Sequence, residues 1–260
     1  MLRIYFMMKA QYLKTAMEYK FNFWMMCIGG IVMRTVLLGI AFVLFKNVEV
    51  LGGFKEGEVY LMMSLMIISE GMVNIFFDGI WYVPAMLFRG ELDVVLCRPV
   101  PALQQVLSTE LGLQGVGVLA LGFVSLGMAI SRLGFLSAVN VLMLLIFIVT
   151  GMVLRLSTFI IGVTTSFYMD TGGNNSNAFT LYSIGEYAKY PVHIYPSWLA
   201  GILLSVVPFG FIGYVPVLIL RAGAFSTWMT PLLVVVTIVY FLLARAFFYH
   251  GIKKYESMGM

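Results

Sequence analysis

Between residues 21 and 45 the chain carries a single charged side chain, Arg34. A helix crossing a bilayer core of about 30 Å needs about 20 predominantly apolar residues. Similar runs recur at about 58–82, 108–130, 137–165, 198–220 and 231–248. The 260 residues are 61% hydrophobic and only 11% charged, whereas a soluble domain carries roughly 25% charged residues. Such a chain cannot cover itself with a polar surface. The expected fold is therefore all-α: a single transmembrane domain over 1–260 with six transmembrane helices. Six spans use about 120 residues, which leaves room for loops but for no large soluble domain.

The segments between the runs set the layout. Residues 1–20 place Arg3, Lys9, Lys14 and Lys20 among Leu2, Ile4, Phe6, Met7 and Leu13, a pattern that predicts an amphipathic interfacial helix. "KNVEVLGGFKEGE" reads as a polar, Gly-rich loop, and "SRLGF" as a tight connection. Residues 83–107 contain a compact mixed-charge stretch that ends on Pro99 and Pro101. Residues 170–195 are polar and Gly/Asn-rich and read as a second loop. The run at 198–220 is interrupted by Pro208, Gly210, Gly213 and Pro216, so one straight helix is not expected there. A bend or a re-entrant passage under cover of other protein is, and 208–228 is read as that outer segment.

Lysines and arginines give the orientation. With the N-terminus inside, ten of the sixteen fall on the inner side and four on the outer, while Arg34 and Arg155 lie within spans. The positive-inside rule then places both termini, 83–107 and 170–195 in the cytoplasm of a multi-pass inner (plasma) membrane protein.

Charges within the spans are costly, about 2.5–3.5 kcal/mol each at the helix centre, so partners are expected. Arg34 and Glu70 match by depth, as do Arg155 and Asp78. Glu70, Asn74 and Asp78 recur every fourth residue and share one helix face. They could line a translocation path or simply fix helix register. A second class of function, an ion-coupled secondary transporter using this acidic face, stays open on these residues alone.

Soluble-type chemistry is missing. The sequence has no Gly-x-x-x-x-Gly-Lys-Ser/Thr phosphate loop, His-Glu-x-x-His, Gly-x-Ser-x-Gly or Cys-x-x-Cys. His193 and His250 are far apart, and Cys27 and Cys97 read as reduced packing residues. No catalytic residue, metal site, bound cofactor or nucleic-acid role is expected of this chain.

Two motifs carry a resemblance. "GELDVVLCRPVPAL", through Gly90, Leu92, Asp93, Leu96, Arg98 and Pro99, resembles the Gly-x-Leu-Asp-x-x-Leu-x-Arg-Pro pattern of the permease subunits of type 2 ABC exporters. "YPVHIYPSWLAGILLSVVPFGFIGYVP" resembles the Tyr-Pro-x-x-Ile-Tyr-Pro-x-Trp-Leu run of that family and the Val-Pro-Phe stretch after it. The resemblance implies a coupling helix in the first cytoplasmic loop, docked on an ATPase. It implies two ABC ATPase subunits holding ATP and Mg, and a second permease chain, identical or related. It also implies a re-entrant gate at Pro208, Phe209, Tyr214 and Pro216. On that reading Leu92, Val95 and Leu96 share a helix face and anchor the docking, Glu91, Asp93 and Arg98 form its polar rim, and Pro99 ends the helix.

Overall fold

The computed structural model describes residues 9–10, 14, 18–134, 137–169, 172–223 and 228–255. The N-terminal interfacial helix falls mostly outside these residues; Lys9, Ala10, Lys14 and Glu18 are helical within it. Five long helices have the length and apolarity to cross a membrane: α1 (Lys20–Asn47), α2 (Glu56–Phe77, continued by short turns to Phe88), α6 (Gln114–Leu133), α7 (Ala138–Thr164) and α11 (Met229–Ile252). At 1.5 Å per residue, α1 spans about 42 Å.

Helix α2 is the centre of the bundle. Its apolar residues run around every face, and Val59 through Gly71 are all buried. A helix apolar all round belongs inside a structure. It starts well, because the Lys55 N–H donates to the Glu58 carboxylate at 2.7 Å, and Glu56 and Glu58 meet the positive end of the helix dipole. The loop before it is a small hairpin, β1 (Val50–Leu51) against β2 (Phe54–Lys55). Its turn residues Gly52 and Gly53 have φ of +53° and +74°, which suits the primed two-residue turn.

By contrast, α1 buries only Cys27 and Ala41. Trp24, Met33 and Phe42 are exposed, as are many apolar residues of α6, α7 and α11. This surface suits hydrocarbon or another apolar chain, not water. Glycines bring the helices close. A Cβ at Gly117 would land on the Cys27 carbonyl, and one at Gly30 would sit 2.6 Å from the Gln114 carbonyl. A Cβ at Gly71 would sit 2.7 Å from the Leu119 nitrogen. The small residues are shared between facing helices rather than set four apart on one.

The second half of the chain departs from expectation. From Ser176 the stretch read as a cytoplasmic loop is helical: α8 (Ser176–Gly185), followed by 3₁₀ turns at Glu186–Lys189 and Val192–Ile194. It runs antiparallel to α7. Asn177 bonds to Thr165 at 2.8 Å, Tyr182 packs on Phe159, and Glu186 reaches Arg155. His193 ends beside Phe54 of the hairpin at the opposite end of the bundle. This polar, broken segment thus runs the length of the bundle and makes its fifth crossing from end to end. The protein walls around it make the irregular backbone tolerable at that depth.

The next stretch, expected to span in part and then bend or re-enter, turns back on itself within the bundle, and it begins at Ser197 rather than Pro208. It consists of α9 (Ser197–Leu204), a 3₁₀ turn at Pro208–Phe211 and α10 (Tyr214–Arg221), with a 65° bend between the two arms. Both ends lie at the hairpin. His193 precedes it there, and Arg221 bonds to the Gly53 carbonyl and the Glu58 carboxylate, both at 2.6 Å. Its middle lies deeper, where the Val206 carbonyl accepts from Tyr240 at 3.0 Å. Residues 224–227 of the expected outer segment fall outside the described residues.

Candidate functional site

Four charges from four elements meet in the middle of the bundle. Arg34 of α1 donates to Glu70 of α2 and to the Tyr182 hydroxyl of α8, and it reaches Glu186 at 3.4 Å. Arg155 of α7 bonds to the other Glu186 oxygen at 3.2 Å, to Ser69 Oγ at 3.1 Å and to the Met66 carbonyl at 3.1 Å. Its guanidinium also lies 4.8 Å from the ring of Phe209, at the deep turn of the re-entrant segment. Two guanidiniums and two carboxylates thus balance, and the cluster joins α1, α2, α7, the segment from α8 to Glu186 and the turn at Phe209. Arg155 is fully buried. At ordinary net values, each hydrogen bond to a charged group contributes about 1.5–3 kcal/mol.

Arg155 therefore pairs with Glu186 and not with Asp78. Glu186 comes from the supposed loop, so no depth argument over the apolar runs could place it near Arg155. The polar face of α2 is also divided. Glu70 serves the charge cluster, while Asn74 and Asp78 lie under the turn before α6. A Cβ on Gly112 would sit 2.8 Å from the Asn74 carbonyl and from the Asp78 carboxyl carbon. Asp78 instead neighbours Lys9 and Glu110. The three residues share a helix face but have different neighbours.

The mixed-charge segment forms a clamp of short helices at the other end. After α3 (Val83–Phe88), Gly90 turns with φ of +71°. Then come α4 (Leu92–Leu96) and α5 (Ala102–Ser108). Leu92 (0% exposed) and Val95 point into the chain's own core with Val83, Ala102, Val106 and Phe159. They anchor the segment to the bundle and cannot anchor it to a partner. Val94 (58% exposed), Leu96, Cys97, Arg98 and Pro99 face outward, with Arg89 and Glu91 beside them. Spacings of three and four group Leu92, Val95 and Leu96, but contacts turn only Leu92 and Val95 inward and leave Leu96 exposed. Cys97 is thus a surface thiol, whereas Cys27 is buried.

Gln105 was unmarked by its chemistry, yet it holds the clamp. Its buried amide donates to the Val95 carbonyl at 2.9 Å and to the Val100 carbonyl at 2.6 Å. These bonds tie the end of α4 and the proline turn to α5. Asn175 donates to the Trp81 carbonyl at 2.8 Å, and so ties the start of the fifth crossing to the same region. Asp93 faces the C-terminal tail, where burial and then this carboxylate raise the Tyr255 hydroxyl above its usual pKa.

At the hairpin end, Phe54, His193 and Tyr214 cluster within 6 Å of one another by ring centres. The Arg221 guanidinium covers Phe54 at 4.0 Å. Pro208 and Phe209 sit at the deep turn, Tyr214 begins α10, and Pro216 lies buried within its first turn.

The sequence model of the ABC-2 family transporter proteins matches residues 17–259. No curated protein and no solved structure matches the chain.

Proposed function

The chain belongs to the ABC-2 transporter family and is a multi-pass membrane permease of an ABC transporter; we propose that it forms an export path with a second permease chain, identical or related, driven by two separate ATPase subunits. Those subunits would hold the ATP and Mg and carry out hydrolysis. Both termini and the α3–α5 clamp would face the cytoplasm, because most Lys and Arg lie there.

One observation carries the coupling role: the outward face of α4. Leu92 and Val95 lock the helix into the bundle, while Val94, Leu96 and Arg98 stand free. A helix that must transmit motion needs both halves, an inner grip and an outer contact. Apolar Val94 and Leu96 with Arg98 at their edge suit a partly apolar groove with an acidic rim. This revises the docking set: Val94, Leu96, Cys97 and Arg98 touch the ATPase, Arg89 and Glu91 border it, and Asp93 braces the tail.

The Arg34–Glu70–Glu186–Arg155 cluster then joins the moving parts. It links α1, α2, α7, the fifth crossing and the deep turn at Phe209, so a shift of the clamp at the inner end of α2 can reach the outer re-entrant segment. Pro208, Phe209, Tyr214 and Pro216 belong to that gate. The exposed side of α1 beside Arg34 is the natural contact for the second permease. Glu70 is held by Arg34 and Tyr182, which disfavours an ion-coupled carrier that needs a carboxylate free to load.

Arg98→Glu tests the reading. The purified permease should lose its co-purifying ATPase while its melting temperature stays within that of the parent. Undiminished association with the ATPase would remove the docking role of this face.

A further inference from the structure

A groove of ≈ 580 Å³ opens on the side of the bundle between α2, α5, α7 and α11. That lies within the range of about 300–1,000 Å³ usual for ligand sites. Its walls are apolar, with Met72, Phe76, Leu103, Met152 and Phe241 among them, and Gln104 and Arg245 add polar atoms. Arg245 is exposed and lies 5.8 Å from the Tyr249 ring. Four other arginines on membrane-level elements, Arg34, Arg132, Arg155 and Arg221, each meet a glutamate. No carboxylate pairs with Arg245 among the described residues.

Depth and charge together select an occupant. Arg245 precedes the end of α11 at Ile252 by seven residues, or about 10 Å of helix. A guanidinium there reaches the headgroup level by extending along its own helix, and exposed Lys253 and Lys254 follow. The groove runs inward from that level, so its apolar walls face the acyl region. A phosphate diester fits the planar fork of an arginine.

We infer that this groove binds an anionic phospholipid of the cytoplasmic leaflet, with one acyl chain between α2, α7 and α11 and its phosphate on Arg245. The leaflet rests on the orientation given under Proposed function; the site itself does not. Pro101 and Leu103 of the clamp also line the groove, so the lipid braces the segment proposed to meet the ATPase.

The test uses the full chain in neutral detergent, without ATPase. Its melting temperature is followed as phosphatidylglycerol or phosphatidylcholine of matched acyl chains is added. Phosphatidylglycerol should raise it by about 5–10 °C near a hundredfold excess over Kd, and phosphatidylcholine by clearly less. Arg245→Gln should erase the difference between the two lipids. Met152→Trp, which fills the groove, should erase both increments. Equal effects of the two lipids, an unchanged difference in Arg245→Gln, or the same rise with inorganic phosphate alone would overturn the assignment. So would a change of oligomeric mass in Met152→Trp, which would give the groove to a second copy. Should a variant fail to fold, the parent chain in mixed-lipid nanodiscs still decides. After extraction it must retain phosphatidylglycerol over phosphatidylcholine by native mass spectrometry, and equal retention sinks the inference. A chain that binds this lipid but no ATPase would contradict the coupling role alone.

Discussion

Arg155→Met removes the most deeply buried charge while keeping much of its apolar volume. Three polar contacts go: Ser69 Oγ at 3.1 Å, the Met66 carbonyl at 3.1 Å and Glu186 at 3.2 Å. All three come from the charged guanidinium, and the one to Glu186, which pairs opposite charges, contributes about 1.5–3 kcal/mol. Interhelical bonds such as the other two average about 0.6 kcal/mol in membrane bundles and reach about 1.7. The loss is therefore about 3–5 kcal/mol, in line with breaking a buried ion pair. For a chain of this size that lowers the melting temperature by about 6–20 °C. Thermal unfolding in detergent reads it directly. Glu186→Gln alone should cost less, because its amide oxygen can still accept from the Arg155 guanidinium that Glu186 meets at 3.2 Å. The double variant should fall short of the sum by at least about 1 kcal/mol, since the two residues touch. Arg155→Lys should recover part of the loss but not the fork that spans three acceptors. A drop below about 1 kcal/mol in Arg155→Met, or strict additivity with Glu186→Gln, would refute the cluster as a structural hub.

Gly117→Ala places a methyl on the Cys27 carbonyl and should cost about 1–3 kcal/mol of stability by overpacking; an unchanged melting curve would remove the close α1–α6 contact. Leu92→Ala should destabilise the permease by about 2–5 kcal/mol, while Val94→Asp should leave stability within about 0.5 kcal/mol and abolish ATPase co-purification. The reverse pattern would invert the two faces of α4. Gln105→Leu frees the Val95 and Val100 carbonyls and should keep the ATPase bound yet reduce substrate-stimulated hydrolysis; full stimulation would show that the clamp needs no such tie. Burial pushes the Lys9 ammonium from 10.5 down to about 8. Between those values the unfolded chain holds a proton that the folded chain has shed, so stability should rise with pH across that window. Lys9→Met should lose this rise, and parallel melting curves for the two proteins from pH 7.5 to 10 would refute it.

The long apolar runs announced α1, α2, α6, α7 and α11 because hydrocarbon demands length and apolarity, and both are visible residue by residue. Arg34 and Glu70 could be matched by depth for the same reason. Glu186 could not, because its segment reaches the membrane interior by packing against α7 and the re-entrant turn rather than by its own apolarity. Asn175, Asn177, Tyr182 and Glu186 look like a solvated loop until partners such as Thr165 and Arg155 are seen. On α4 the three-and-four spacing grouped Leu92, Val95 and Leu96, yet only Leu92 and Val95 are buried while Leu96 is exposed beside Val94, and periodicity cannot say whether the covering surface is the same chain or another. The close-packed glycines escaped notice because the helix–helix approach draws one residue from each side.

The central claim, that the outer face of α4 meets an ATPase, can be read from Cys97. This thiol is exposed on that face, and the other cysteine, Cys27, is buried. A benzophenone attached at Cys97 and irradiated in the assembled transporter should cross-link the permease to the ATPase subunit, and prior ATPase binding should shield Cys97 from maleimide. Full maleimide reactivity in the presence of the ATPase, with no cross-linked band, would contradict the account.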